Sequence, residues 1–235
     1  MKILVIGDVH QKVDLLNRAL THEKDVDLTV FMGDYCDDFD DNYMEVTTMA
    51  EFLKDSLQNP KRIHLMGNHD INYALPLGTS MCSGYTSWKH ELYNSILTAE
   101  DWKKMQFFFH IKDYWFSHAG VTRHWFSHPM LGISAELIDK KIAETIPLLV
   151  SGEDNCITAV DGYRGGRHRK GGLLWNHFTN SDYFDNITQI IGHTPLPRVE
   201  VKRRVNSNLI NVDTHLQQFI ILDTEAHNWQ IIDNK

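Results

Sequence analysis

Ile63-His64-Leu65-Met66-Gly67-Asn68-His69-Asp70 is the stretch on which the reading of this chain turns. Its first half is a short apolar run of strand type. Its second half is a glycine followed by three residues that form strands poorly. Polar side chains at such a place are held there for what they bind rather than for packing. The same passage occurs twice earlier. Residues 2–6 run into Gly7-Asp8-Val9-His10, and residues 27–32 run into Gly33-Asp34-Tyr35-Cys36.

Helical spacing fills the gaps between these runs. Leu15, Leu16, Ala19 and Leu20 fall on one face of a predicted helix over 13–22, and a second helix is expected over about 43–57. Strand, helix, strand, helix, strand predicts a parallel α/β sheet covered on both faces. In such sheets the functional residues lie just beyond the carboxyl ends of the strands, where all three tetrads fall.

Further along, a helix is expected at about 87–97, and Thr98 is placed to cap a short one that follows it. Residues 107–112 and 114–117 predict an aromatic hairpin ending in Ser117-His118-Ala119-Gly120, and 134–149 reads as helix. Residues 152–172 are polar and glycine-rich, a long loop. Residues 187–191 form a strand ending in Gly192-His193-Thr194-Pro195. Segments 198–205, 208–213, 217–223 and 228–233 read as strands, which are expected to supply the second sheet of a sandwich. A single domain over 1–235 is expected, with about 80–106 as a candidate lid or insert.

The chain has 235 residues and a net charge of −8, with ordinary apolar and charged content, enough for one sizeable core. An acidic balance argues against a nucleic-acid partner. No apolar run approaches the roughly 18 residues a membrane span needs. Lys2-Ile3-Leu4-Val5-Ile6 starts too early and is too brief for a signal peptide. Cys36, Cys82 and Cys156 make no paired pattern and read as reduced thiols, so a cytoplasmic protein is expected.

Collected beyond the strand ends are Asp8, His10, Asp34, Asn68, His69, His118 and His193. Carboxylates, an amide oxygen and imidazoles together suit borderline divalent metals such as manganese, iron, zinc or nickel. Asp-x-His puts two ligands on one side of an extended segment, so Asp8 and His10 can share an ion. A second ion needs a bridging carboxylate, and Asp34 is the central candidate. One Asp or His at a strand end is an ordinary loop residue; five such clusters in this order are not.

At this point the sequence resembles the calcineurin-like metallophosphoesterases. The match is nearest to the phosphoprotein phosphatase branch of phage and bacterial serine/threonine phosphatases, which also includes symmetrical diadenosine tetraphosphate hydrolases. The motifs stand as Gly7-Asp8-Val9-His10, Gly33-Asp34-Tyr35-Cys36-Asp37, Gly67-Asn68-His69-Asp70, His118-Ala119-Gly120 and Gly192-His193-Thr194, with Ile210-Asn211-Val212-Asp213-Thr214 later.

The resemblance implies a four-layer αββα sandwich of two mixed sheets flanked by helices, with a dinuclear metal site at the strand ends. It implies two divalent ions, manganese first among the candidates. One would be held by Asp8, His10 and Asp34, the other by Asp34, Asn68, His118 and His193. Pro195 stands where other branches have a further His ligand, leaving the first ion an open side. The implied chemistry is hydrolysis of phosphomonoesters by a metal-bridging hydroxide. His69 would be the general acid, paired with Asp37. The alternative is a dinucleoside polyphosphate hydrolase or phosphodiesterase. The implied partner is a phosphorylated protein, small molecule or nucleotide.

Two departures bear on substrate. The branch has an Arg and a Gly where this chain has Asp38 and Phe39, and a carboxylate would repel a phosphate dianion. Replacement cations are sought in Arg164-Gly165-Gly166-Arg167-His168-Arg169-Lys170, with Arg164 first and Arg167 second, since Arg is the preferred bidentate phosphate partner.

Overall fold

The computed structural model describes residues 1–75 and 82–235. The first half of the chain runs β1 (Lys2–Ile6), α1 (Val13–Leu20), β2 (Leu28–Phe31), α2 (Tyr43–Ser56), β3 (Arg62–His64), α3 (Ile71–Ala74), α4 (Ser87–Ile96) and α5 (Ala99–Trp102). There follow β4 (Phe109–Ile111), β5 (Tyr114–Phe116), α6 (Arg123–Phe126) and α7 (Ala135–Thr145). The chain ends with β6 (Thr188–Ile191), β7 (Glu200–Arg204), β8 (Ser207–Asn211), β9 (Gln218–Asp223) and β10 (Asn228–Asp233).

These strands form two five-stranded sheets, ordered β10-β9-β1-β2-β3 and β4-β5-β6-β8-β7. In the first sheet β1, β2 and β3 are parallel, with Ile3 opposite Leu28 and Val30 opposite Ile63. In the second, β5, β6 and β8 are parallel, with Tyr114 opposite Thr188 and Thr188 opposite Asn208. Both sheets are mixed: β9 lies antiparallel between β1 and β10 in the first, and β4 and β7 lie antiparallel at the two edges of the second.

β1 is apolar throughout because both of its faces are covered. Ile3 and Val5 pack in the core between the sheets with Phe116, Ile190 and Ile210. Leu4 and Ile6, one step along the pleat, pack outward with Leu16 and Ala19 of α1 and Met49 and Leu53 of α2. On the far side, Trp115 of β5 packs in the cluster that holds Phe126, Ile138 and Ile142 of α6 and α7. The layers are therefore helix, sheet, sheet, helix.

The tail departs from expectation. β7 and β8 join the second sheet, but β9 and β10 return to the first, where β9 lies antiparallel beside β1 with Leu4 opposite Ile221. The run Phe219-Ile220-Ile221-Leu222 fits this place, since β9 is flanked by β1 and β10. Of the candidate lid, residues 80–81 lie outside the described residues. Its remainder carries α4 and α5, with Leu92, Tyr93, Leu97 and Trp102 buried in the same cluster as α1 and α2, while Trp88 is exposed. Thr98 caps α5 by accepting from the Asp101 amide.

Candidate metal centre

The carboxyl ends of β1, β2 and β3 face those of β5, β6 and β8 across the top of the sandwich, and the motif residues sit in the six loops that leave them. Interlocked backbone contacts fix these loops. The amides of Val9 and His10 donate to the Asp34 carbonyl at 3.0 and 2.7 Å. The fully buried Asp70 carboxylate accepts from the amides of Asp34, Tyr35, Cys36 and Gly67 at 2.7–3.1 Å. Asp70 thus ties the loop after β2 to the loop after β3. His10, Asp34, Asp37 and His193 all have left-handed backbone, with φ of 41°, 51°, 66° and 66°. Residues that are not glycine keep such conformations only where the surroundings over-determine them. Two glycines admit the close approach: a Cβ on Gly67 would lie 2.1 Å from Asp34 Oδ1, and one on Gly192 would lie 2.1 Å from Asp8 Oδ1.

Two ligand groups result, and they share one residue. Asp8, His10 and Asp34 converge in one; Asp34, His118 and His193 converge in the other. Asp34 Oδ1 accepts from the His69 amide at 2.9 Å. Its Oδ2 lies 3.7 Å from His10 Nε2 and 3.3 Å from His118 Nε2, a position from which one oxygen can serve both groups. Asn68 Oδ1 completes the second group, 2.9 Å from His118 Nε2 and 2.7 Å from His193 Nδ1.

The proton inventory decides what the groups are fit to hold. His118 Nδ1 donates to the Met32 carbonyl at 2.7 Å, and His10 Nδ1 to the Asp37 carbonyl at 2.6 Å. In the neutral ring this leaves Nε2 of each as the lone pair, directed at the centre. Asn68 spends its Nδ2 on Cys82 Sγ at 3.2 Å, which leaves Oδ1 facing inward. Burial pushes the Asp8 carboxyl up, and the nearby charges of Asp213 and Asp34 add to it. Burial would lower the His118 pKa, but the Asp34 and Asp8 charges outweigh it and push it up to about 10, so the carboxylates draw positive charge to the centre, a place a divalent cation would take. Divalent cations complete such a set, and the mixed O/N donors suit a borderline metal.

His69 follows the candidate ligand Asn68 but faces elsewhere. Its Nδ1 bonds Asp37 Oδ2 at 3.0 Å. Burial would lower its pKa, but Asp34 and then Asp37 outweigh burial and raise it above the ordinary value. A cation on Asp34 would cancel that contribution and leave the Asp37 bond.

These groups line a cleft of about 380 Å³ that also contains Lys12, Asp38, Phe39, Arg164, Asp213 and His215. Arg164 donates through Nη2 to the His193 carbonyl, and its buried Nε has no partner among the described residues. Arg167 is not brought into the cleft. It is largely exposed and pairs with Asp154 at 2.5 Å. Asp38 is paired with Lys12 at 3.1 Å. Lys12, Tyr73 and Lys89 also bear on the site, and no motif in the sequence marks them. Only Lys89 left a signal: with Leu92, Tyr93 and Ile96 it falls on the apolar stripe of α4, and a buried lysine requires a buried counter-charge.

The family profile described as calcineurin-like phosphoesterase matches residues 1–216. No curated protein matches the sequence. Among solved structures, the chain is similar to a cold-active protein-tyrosine phosphatase of a psychrophilic Shewanella species. The TM-score is 0.61 at 17% identity, covering 99% of this chain and 80% of that one. It is also similar to a provisionally assigned diadenosine tetraphosphatase, with TM-score 0.53 at 13% identity, covering 99% and 93%. At these identities the likeness is one of fold.

Proposed function

The chain belongs to the calcineurin-like phosphoesterases, hydrolases of phosphoric esters, and from that premise we propose that it hydrolyses phosphomonoesters, phosphoproteins among them. The observation that carries the proposal is the pairing of two donors in one cleft. His69 is held at Nδ1 by Asp37, and Arg164 has its Nε unpartnered beside the ligand groups. Two divalent ions, manganese first, would be held by Asp8, His10 and Asp34 and by Asp34, Asn68, His118 and His193. When bound they would supply hydroxide at neutral pH and draw charge off the phosphate.

The protein's own residues do the rest. Arg164 binds phosphate oxygens and so orients the phosphorus. As the bond to the leaving oxygen breaks, that oxygen takes the proton His69 carries at Nε2, and Asp37 stabilises the imidazolium until then. Lys12 neutralises Asp38 at the mouth, so the carboxylate that replaces the branch's Arg does not repel a dianion unopposed. The Shewanella fold neighbour is named a protein-tyrosine phosphatase, and we extend the proposal to phosphotyrosine as well as phosphoserine and phosphothreonine. A cytoplasmic location is proposed from the three thiols, all of them free.

One observation favours a second reading. A chamber of about 240 Å³ adjoins the cleft and shares Asn68 and Trp175 as walls, which would give a second nucleoside or ester group room. A substrate panel separates the two. Manganese-loaded protein is assayed on p-nitrophenyl phosphate, its bis ester, phosphopeptides and dinucleoside polyphosphates. Monoester and phosphopeptide turnover is expected to dominate. Strong diester turnover with negligible monoester turnover would replace this reading with the second. His69→Asn is expected to lower turnover about 10²–10⁴-fold with metal content retained.

A further inference from the structure

We propose that Lys89 is a positioning residue for the Asp37–His69 pair, an inference that rests on reading His69 as the proton donor. The Lys89 side chain is almost wholly buried, although it stands on a helix that follows α3 by more than ten residues. Its ammonium reaches Asp37 Oδ1 at 2.8 Å and Asp41 at 3.0 and 3.3 Å. The Tyr73 hydroxyl of α3 donates to the same Asp37 Oδ1 at 2.5 Å. Asp37 Oδ2 is left to His69 Nδ1 at 3.0 Å.

The two oxygens of Asp37 therefore have separate duties. Asp37 sits in a loop with left-handed backbone, so no strand or helix fixes its carboxylate. A carboxylate held at one oxygen only can rotate, and the imidazole it orients rotates with it. Two donors from α3 and α4 pin Oδ1, and only Oδ2 can then meet His69. The ring is held with Nδ1 toward Asp37, and Nε2 is the nitrogen left to carry the proton. Asp41 completes the arrangement by taking the remaining reach of the ammonium. Burial alone would lower the Lys89 pKa, but Asp37 and Asp41 outweigh it and raise it above the ordinary value, so the clamp stays charged. Lys89 does not line the cleft and acts only through Asp37.

The test compares esters that differ in their need for the acid. p-Nitrophenyl phosphate has a leaving group that departs without much protonation; phenyl phosphate does not. Manganese-loaded wild type, Lys89→Met, His69→Asn and the combination of the two are assayed on both. Lys89→Met removes the ammonium that two buried carboxylates share and can fail to fold, so the charge-balanced Lys89→Met/Asp41→Asn is carried in parallel. Both Lys89 variants are expected to lose about tenfold more kcat on phenyl phosphate than on p-nitrophenyl phosphate, with KM unchanged. In the His69→Asn background the Lys89 substitution should add no further selective loss. Equal losses on the two esters, or a loss that adds to that of His69→Asn, overturn the role of Lys89. In that case a selective loss in His69→Asn alone leaves the acid assignment standing. If His69→Asn itself loses both esters equally, the acid assignment fails and the role of Lys89 falls with it.

Discussion

Asp34 and Asp37 are three residues apart in one loop, both buried and both in left-handed backbone, yet the protein treats them oppositely. Around Asp34 it gathers side chains that can serve as metal ligands: the imidazoles of His10 and His118, the Asn68 oxygen and the Asp8 carboxylate. Around Asp37 it assembles donors: Lys89, Tyr73 and His69. The first cluster is a candidate site for cations from solution, and the second is completed by the chain itself. A buried carboxylate is costly until it is paired, and the two neighbours show two ways of pairing it. One leaves charge that a metal would take; the other holds a carboxylate against His69, the proposed proton donor.

Removing metal strikes only the first cluster and has the largest effect. Chelation should lower turnover at least about 10³-fold, and manganese should restore it. It should also lower the thermal midpoint, because ions that bind only the folded chain stabilise it. Turnover that survives chelation would break the contrast at its first half.

Lys89→Met strikes the second cluster. It should destabilise the fold by about 3–5 kcal/mol in urea unfolding, as expected when one partner of a buried ion pair is removed. Adding Asp41→Asn should recover most of that. No recovery would mean that Lys89 contributes through packing rather than charge.

How much of this was legible in the sequence follows the same division. Metal ligands are drawn from few residue types and sit directly after strands, so Asp8, His10, Asp34, Asn68, His118 and His193 stood out locally as candidates, and the structure brings them together. The Asp37 support did not. Lys89 is 52 residues from Asp37 and Tyr73 is 36, and nothing in a linear pattern fixes which distant donor reaches a given carboxylate. Arg167 lies outside the cleft for the mirror reason: a basic glycine-rich loop suggested phosphate, but Asp154 pairs with its guanidinium. The strands of the tail were legible as strands. Which sheet they join was not, because an apolar run states that both faces are covered without naming the neighbours.

A smaller test sharpens the comparison with a third kind of buried group, one paired only with hydroxyls. His64 lies between the Tyr35 hydroxyl at 2.6 Å and the Ser56 hydroxyl at 3.0 Å. Burial, reinforced by Arg62, pushes its pKa down to about 3. The unfolded chain, with an ordinary histidine value, takes the proton first on acidification, so this stability is present above pH 6.5 and is lost as pH falls toward 3. At pH 5 the loss is about 2 kcal/mol. In urea unfolding at pH 7 and pH 5, His64→Gln should lose less between the two than the wild type by that amount. An unchanged difference would show that His64 does not carry the linkage.

The division of labour between the two aspartates is tested most directly by counting ions. Metal per chain is measured by inductively coupled plasma mass spectrometry for wild type, Asp34→Asn and Asp37→Asn after loading with manganese and desalting. Wild type should hold two ions, Asp34→Asn fewer than two, and Asp37→Asn two with turnover of phenyl phosphate nonetheless lost. Two ions retained in Asp34→Asn, or ions lost from Asp37→Asn, would contradict that division.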